Sequence, residues 1–175
     1  MSSKEDGEFQ LYTASERLRR DNSRWTLVQG ILAPLQFVVF LASACLVIRA
    51  LYTQQGVDIA QWSVIIKTLL LYAIMITGCL WEREVFGRYL FAPAFFWEDV
   101  VSLGVMALHT LYVLLFLFGA DSNFLLWVAV AAYLSYVVNA WQFVYKFRLA
   151  RSNPSVPARK ASDAGNANKL SEAAL

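Results

Sequence analysis

The fold of this chain is decided by its first long apolar stretch, residues 25–51, which reads WTLVQGILAPLQFVVFLASACLVIRAL. It holds a single charged side chain, Arg49, close to its far end. A helix needs about 20 apolar residues to cross the hydrocarbon of a bilayer, so this stretch is long enough to span a membrane. Three similar stretches follow, at about 62–81, 97–119 and 124–147. We therefore predict an all-α integral membrane protein with four transmembrane helices.

The composition of the whole chain agrees with a membrane protein. Of its 175 residues, 58% are hydrophobic and 16% are charged, whereas soluble domains are about 45–50% apolar and about a quarter charged. This balance excludes a disordered chain, a disulfide scaffold and an ordinary cytosolic domain. The formal net charge is only +2, and the basic residues form no stripe, so nucleic acid is not an expected partner.

The distribution of basic residues predicts the orientation of the helices. Of the 15 Lys and Arg residues, all except Arg49 and Lys67 flank the chain termini or the loop between the second and third spans. Cytoplasmic flanks of membrane helices carry the excess of Lys and Arg. We therefore expect both termini and that loop in the cytoplasm.

The same pattern divides the chain into three parts. Residues 1–24 form a cytoplasmic N-terminal segment, in which Thr13 and Glu16 have the spacing of a capping box and predict a short surface helix. Residues 25–147 form the four-helix transmembrane domain. Residues 148–175 form a basic, polar C-terminal tail that we expect to be disordered.

The loop between the second and third spans combines aromatic and acidic residues. From Glu82 to Asp99 it reads EREVFGRYLFAPAFFWED. Gly87 and Pro93 break regular helix, yet the phenylalanines are too apolar for a solvated loop. We expect this aromatic cytoplasmic loop to lie at the membrane interface or to fold back against the bundle, where it forms one wall of a flat apolar pocket.

Four carboxyl groups are predicted to converge beneath this loop, because they end the second span or begin the third: Glu82, Glu84, Glu98 and Asp99. Carboxyls crowded in an apolar pocket resist ionisation and keep a proton available for acid catalysis. The alternative is structural. In that interpretation Glu98 and Asp99 only favour a helix N-terminus, and nearby arginines neutralise the other two.

Three of the spans also carry polar residues along one face. These are Gln29, Gln36 and Ser43 in the first span, Glu98, Ser102 and His109 in the third, and Ser135, Asn139 and Gln142 in the fourth. Hydrocarbon offers no hydrogen-bond partner, so these faces should point into the bundle. They serve there either as contacts between helices or as part of a site.

Two basic side chains lie inside the spans. His109, the only histidine, is either a hydrogen-bonded core residue or a ligand for a metal that arrives in a macrocycle. A metal site built by the protein itself is not expected, since such a site needs three or four clustered ligands. Lys67 lies a few residues inside the second span, and we expect it to snorkel to the outer surface.

Three blocks of sequence carry a family resemblance. They are LYTASERLRRDNSRWTLVQGILAPLQFVVFL at 11–41, KTLLLYAIMITGCLWEREVFGRYLFAPAFFWEDV at 67–100 and ALHTLY at 107–112. From about Leu11 to Arg151, the chain resembles the vinyl bacteriochlorophyllide hydratases of phototrophic bacteria.

The resemblance implies a hydro-lyase of bacteriochlorophyll a synthesis that needs no cofactor of its own. Such an enzyme adds water to the C3 vinyl group of a Mg-chlorin, chlorophyllide a or 3-vinyl bacteriochlorophyllide a, and gives the 3-(1-hydroxyethyl) derivative. A partner dehydrogenase then oxidises the alcohol. The implied location is the bacterial inner, or intracytoplasmic, membrane, with several membrane passes, contact with lipid and possible neighbours among the other enzymes of the route.

Hydration of a vinyl group needs an acid for the terminal carbon and a base that directs water to the inner carbon. We hypothesise that Glu98 is the acid, with Asp99, Glu82 or Glu84 placing the water, although the residues leave the division of roles open. The predicted substrate contacts are Phe95, Phe96 and Trp97 against the ring, His109 on the substrate magnesium, and Gln36 and Asn139 in the polar faces.

Two other functions compete with the hydratase. A membrane carrier or assembly factor for a Mg-chlorin would need the same pocket but would release its pigment unchanged. A small transporter is disfavoured, because the first span holds no carboxylate. A bundle of this size is small for enclosing a whole chlorin, which favours a homodimer. The preferred vinyl substrate and the stereochemistry of hydration stay open.

Overall fold

The computed structural model of the chain describes residues 11–152. This part is helical and contains no strand. Its helices are α1 (Ala14–Asn22), α2 (Arg24–Thr53), α3 (Val57–Phe86), α4 (Phe96–Leu117) and α5 (Ser122–Ser152). Four of them contain a segment long and apolar enough to cross a membrane. The predicted helical class and the four spans are therefore confirmed.

The transmembrane helices begin and end where the backbone turns. Gln54 and Gly56 both adopt left-handed conformations, with φ of 55° and 68°, and turn the chain between α2 and α3. Gly87, with φ of 79°, ends α3 and donates its N–H to the Arg83 carbonyl at 2.9 Å. A glycine fits there because it has no Cβ to clash. The helix α3 consequently starts five residues before its predicted span and ends five residues after it.

The four long helices form two hairpins. Within the first, α2 packs along α3 and the hydroxyls of Ser43 and Ser63 lie 2.6 Å apart. Within the second, α4 packs along α5, and the Asn139 amide nitrogen donates to the Ser102 hydroxyl at 3.0 Å. The hydroxyl of Tyr133 joins the hairpins through Ser43, at 2.6 Å. These bonds confirm that polar faces of the helices point inward.

The outside of the bundle stays apolar, as expected for helices that face lipid. Large apolar side chains such as Leu27, Ile66 and Leu134 are more than half exposed on the isolated chain. Small residues such as Val47 and Ala129 fill the interior together with large rings such as that of Tyr112. Because lipid tails are as apolar as leucine, close packing and interhelical hydrogen bonds must hold these helices together.

The short helix α1 covers one end of the bundle. Its capping box is confirmed: Glu16 N–H donates to the Thr13 hydroxyl at 3.3 Å, and Thr13 N–H donates to the Glu16 carboxylate at 2.8 Å. Just before it, Tyr12 stacks on Phe86 with ring centroids 5.8 Å apart, and burial raises the pKa of Tyr12 to about 12. The N-terminal segment and the α3–α4 loop therefore share an end of the bundle, called here the α1 end.

The C-terminal tail is described only in part. The helix α5 continues through residues 148–152. The predicted disorder of the remaining tail concerns residues outside the described range.

Candidate active site at the α1 end of the bundle

Two carboxyl groups hold the α3–α4 loop against the bundle. The Ala92 N–H donates to Glu82 Oε1 at 2.5 Å, and the Phe91 N–H donates to Asp99 Oδ2 at 2.8 Å. Both acids are buried. Phe91 has a left-handed φ of 60°, a costly conformation for a residue with a bulky side chain. The hydrogen bond from its N–H to Asp99 holds the backbone in that conformation, beside the carboxyl groups.

The same two carboxyls lie side by side. Glu82 comes from near the end of α3 and Asp99 from the first turn of α4, and they accept from the N–H groups of two adjacent loop residues, Ala92 and Phe91. Glu98, the neighbour of Asp99, forms an ion pair instead: its Oε2 lies 2.6 Å from Lys146 Nζ on α5. We call Glu82, Asp99, Glu98 and Lys146 the carboxyl centre.

Lys146 is a member of this centre that the sequence pattern indicates only as a flanking charge. Its ammonium lies 4.9 Å above the ring centroid of Phe95 and is largely buried with its Glu98 partner. The signal available in the sequence is its position at the C-terminal end of the last predicted span. That position alone does not indicate which carboxylate it meets.

Glu84 does not join the carboxyl centre. It is exposed, and its Oε2 accepts a hydrogen bond from the Ser23 hydroxyl at 2.7 Å. Two residues along a helix differ in direction by about 200°, so Glu82 and Glu84 must point to different sides of α3. The structure thus brings together three of the four predicted acids.

The predicted ring-stacking residues divide into buried and exposed members. Phe95 is only 3% exposed and packs among Trp81, Phe86 and Phe143. Trp97 is 71% exposed, and its ring meets that of Phe96, with centroids 5.5 Å apart.

Phe96 in turn lies 5.5 Å from Phe91. We call Phe91, Phe96 and Trp97 the aromatic row; all three remain accessible on the surface next to the carboxyl centre.

The remaining predicted contacts lie deeper in the bundle. His109 is about 15 Å along α4 from Asp99 at 1.5 Å per residue, and it is fully buried. Gln36 is 1% exposed, and neither atom of its amide has a hydrogen-bond partner among the described residues. Asn139 is buried and bonded to Ser102, which lies between Asp99 and His109 on α4.

The expectation that Lys67 snorkels to the surface is wrong. The residue is 0% exposed, and its Nζ lies 2.6 Å from His109 Nε2. The reason is the position of the helix start, because α3 begins at Val57 and not near Trp62. Lys67 is therefore about 15 Å from the end of its helix, too deep for its side chain to reach water.

Comparison with known proteins identifies the family of this chain. The family model described as 2-vinyl bacteriochlorophyllide hydratase matches residues 12–149. A relative of that name from Rhodobacter capsulatus is 58% identical over 141 residues, which cover 81% of this chain and 82% of the relative. A second, from Cereibacter sphaeroides, is 57% identical over 141 residues and is covered to 88%.

The chain belongs to the 2-vinyl bacteriochlorophyllide hydratase family. No solved structure matches it. The match of the hydratase family spans α1 to α4, the aromatic loop and α5 as far as residue 149. The carboxyl centre, the aromatic row and the Lys67–His109 pair all fall within it.

Proposed function

We propose that this chain is a hydro-lyase that adds water to the vinyl group of chlorophyllide a or 3-vinyl bacteriochlorophyllide a in bacteriochlorophyll a biosynthesis. Its family membership and its two close relatives, both named as hydratases of a vinyl bacteriochlorophyllide, support the substrate class. The observation that carries the mechanism is the pair of buried carboxyls, Glu82 and Asp99, bound to adjacent loop N–H groups beside the ion-paired Glu98 and next to an exposed aromatic row.

Hydration of this vinyl group is redox-neutral. A proton adds to the terminal carbon as the π bond breaks, and the positive charge on the inner carbon spreads into the macrocycle. The oxygen of water then bonds to the inner carbon, and a base takes the proton that this water releases. The reaction therefore requires one acid and one base at the vinyl group, and we propose that the protein supplies both without a cofactor.

We assign the acid to the Glu82–Asp99 pair. Two buried carboxyls bound to adjacent loop N–H groups cannot both carry a full negative charge at low cost, so one of them retains a proton. Glu98 is better suited to the base. The Lys146 ammonium at 2.6 Å stabilises it as a carboxylate, which can orient water and balance the developing positive charge. This division of roles reverses the hypothesis that Glu98 is the acid.

We propose that the macrocycle binds against the aromatic row. Aromatic side chains prefer offset or tilted contacts with other π systems, and Phe96 and Trp97 present accessible rings. Phe95 supports the site from the core instead of touching the pigment. Ligation of the substrate magnesium by His109 stays a prediction, and it would require Nε2 to release Lys67.

The proposed orientation puts the α1 end in the cytoplasm. The basic residues of the N-terminal segment, the aromatic loop and the end of α5 all flank this end, and cytoplasmic flanks carry the positive excess. The enzyme would then be a multi-pass protein of the bacterial inner membrane. Its alcohol product could pass at this face to a dehydrogenase, and a homodimer could complete the binding surface.

The experiment that tests the function uses the full chain expressed in a bacterium without chlorophyll enzymes. Its membranes are incubated with chlorophyllide a in oxygen-18-labelled water, and the extracted pigment is analysed by mass spectrometry. We expect a product heavier by one labelled water, with its red absorption band shifted to the blue. Unchanged pigment that co-purifies with the protein would instead identify a carrier, and membranes without the chain serve as the control.

A further inference from the structure

A second polar centre lies in the middle of the bundle, away from the carboxyl centre. Lys67 of α3 and His109 of α4 are both fully buried, and Lys67 Nζ lies 2.6 Å from His109 Nε2. The ring of Tyr136, on α5, has its centroid 4.1 Å from the same ammonium. We call Lys67 and His109 the basic centre.

The hydrogen bonds of the histidine fix its form. Its Nδ1 lies 2.8 Å from the Val105 carbonyl oxygen, which can only accept, so Nδ1 carries the hydrogen. Nε2 is then free to accept from the Lys67 ammonium. His109 thus orients Lys67 but contributes no negative charge to balance it.

Lys67 has no acidic partner in the part of the chain that the structure describes. The Arg20–Asp21 and Glu98–Lys146 ion pairs both lie at the α1 end. A cation buried in a membrane protein is costly unless an anion or a hydrogen-bonded partner compensates it. A neutral imidazole and the faces of two tyrosines compensate this one only partly.

Polar groups without partners lie close to the basic centre. The Tyr112 hydroxyl has no hydrogen-bond partner among the described residues, and Tyr112 is one turn from His109 on α4. The Gln36 amide also has no hydrogen-bond partner among the described residues. Gln36 lies one turn before Phe40, whose ring is 4.8 Å from that of Tyr136, the residue that contacts Lys67. Buried polar groups are normally paired, so unpaired ones beside an unbalanced cation indicate a ligand.

We propose that Lys67 binds the free carboxylate of the chlorin substrate, with His109 as the positioning residue that holds its ammonium. This inference rests on the proposed function, because a chlorophyllide is the free acid and carries that carboxylate on a different ring from the vinyl group. The two centres are about 15 Å apart along α4. That separation is on the scale of one macrocycle, so one substrate can meet both.

The boundary between the hairpins offers the route to this position. The helices α3 and α4 meet less extensively than the helices within each hairpin. Among the described residues, two side-chain hydrogen bonds join α3 to α4: Lys67–His109 and a 2.5 Å bond between the hydroxyls of Tyr72 and Thr110. An entering carboxylate exchanges one neutral partner of Lys67 for an anionic one, which is a net gain in attraction.

The experiment compares chlorophyllide a with its carboxyl methyl ester, using membranes that contain the full chain. Esterification removes the negative charge and leaves the vinyl group unchanged. We expect the ester to have a KM at least about 10-fold higher with a similar kcat, because the lost contact binds substrate and transition state equally. In Lys67→Met, the KM for the acid should rise to the ester value while that for the ester stays the same.

Two further variants make the test specific. Lys67→Arg keeps a cation and should keep the preference for the acid. Arg49→Met removes an exposed cation near the C-terminal end of α2, and this variant should also keep the preference for the acid. Equal KM values for acid and ester in the wild type would overturn the proposal, and so would an equal weakening of both substrates by Lys67→Met.

Failure of the proposed function gives a different result from failure of this inference. If the wild type hydrates neither pigment, the hydratase proposal fails. Binding of acid and ester to the purified protein, followed by pigment absorption, then decides the carboxylate contact by itself. Tighter binding of the acid that Lys67→Met abolishes would support the contact, and equal binding of both pigments would exclude it.

Discussion

The carboxyl centre and the basic centre differ in charge, in depth and in how their charged groups are paired. The carboxyl centre is acidic, lies at the end of the helices and is held by loop N–H groups and Lys146. The basic centre is deep, has no acidic partner among the described residues and leaves nearby polar groups unpaired. The carboxyl centre therefore has the properties of a preorganised reaction site, and the basic centre has those of an anion-binding site. The comparison therefore predicts that variants of the first centre change kcat and variants of the second change KM.

The largest effect is expected for Asp99→Asn. Loss of the carboxyl pair removes the proposed acid, and general acid catalysis contributes about 10²–10⁴-fold, so kcat should fall by about 10³-fold. Pigment binding should persist, because the amide oxygen of asparagine can still accept from Phe91. Glu84→Gln is the matched control at the same end and should retain nearly full turnover. A kcat for Asp99→Asn within a few-fold of wild type would remove Asp99 from the mechanism.

Glu98→Gln and Lys146→Met should lower kcat by about 10²-fold each. Because the two side chains form one ion pair, the double variant should be little worse than either single variant. Lys146→Arg should recover most of the turnover, since it retains the cation. These rates are measured from the formation of hydroxyethyl pigment, and strictly additive losses would contradict a shared role.

His109→Gln tests the other side of the comparison. Glutamine can accept a hydrogen bond from Lys67 but is a poor magnesium ligand, so we expect kcat to stay within a few-fold of wild type. KM should rise by about 5–10-fold, because Lys67 is held less firmly. A large fall in kcat with little change in KM would favour a direct role for His109 on the substrate.

The smallest effect on turnover is expected when the buried and exposed aromatics are exchanged for alanine. Phe95→Ala leaves a cavity in the aromatic cluster and should destabilise the protein by about 3–5 kcal/mol, measured as a lower Tm in detergent. Trp97→Ala removes a mostly exposed ring and should leave Tm nearly unchanged while raising KM. Equal Tm losses for the two variants would contradict the division between core and aromatic row.

Most of the carboxyl centre could be predicted from the sequence because it is local. Glu82, Glu98 and Asp99 border one short loop, so any path of that loop keeps them near one another. The same reasoning predicts Glu84 beside them, and the structure places it elsewhere, bonded to Ser23. Closeness in sequence does not reveal which side of a helix a residue faces. Phe95 was grouped with its neighbours for the same reason.

The Lys67–His109 contact could not be predicted in this way. Its partners are 42 residues apart and belong to different hairpins. Taken singly, each residue has an ordinary structural interpretation: the lysine snorkels to the surface, and the histidine is a hydrogen-bonded core residue. Only their common depth in the bundle shows that they form a pair.

By itself, the sequence determined the helical class, the four spans, the basic flanks and the acids around the aromatic loop. These properties follow from composition and from spacing along one chain, where the hydrocarbon thickness sets the helix length. The tertiary structure alone decided which acid meets Lys146, which aromatic rings stay exposed and where the buried lysine finds its partner. These depend on the rotation and depth at which helices pack, which residues far apart in sequence fix jointly.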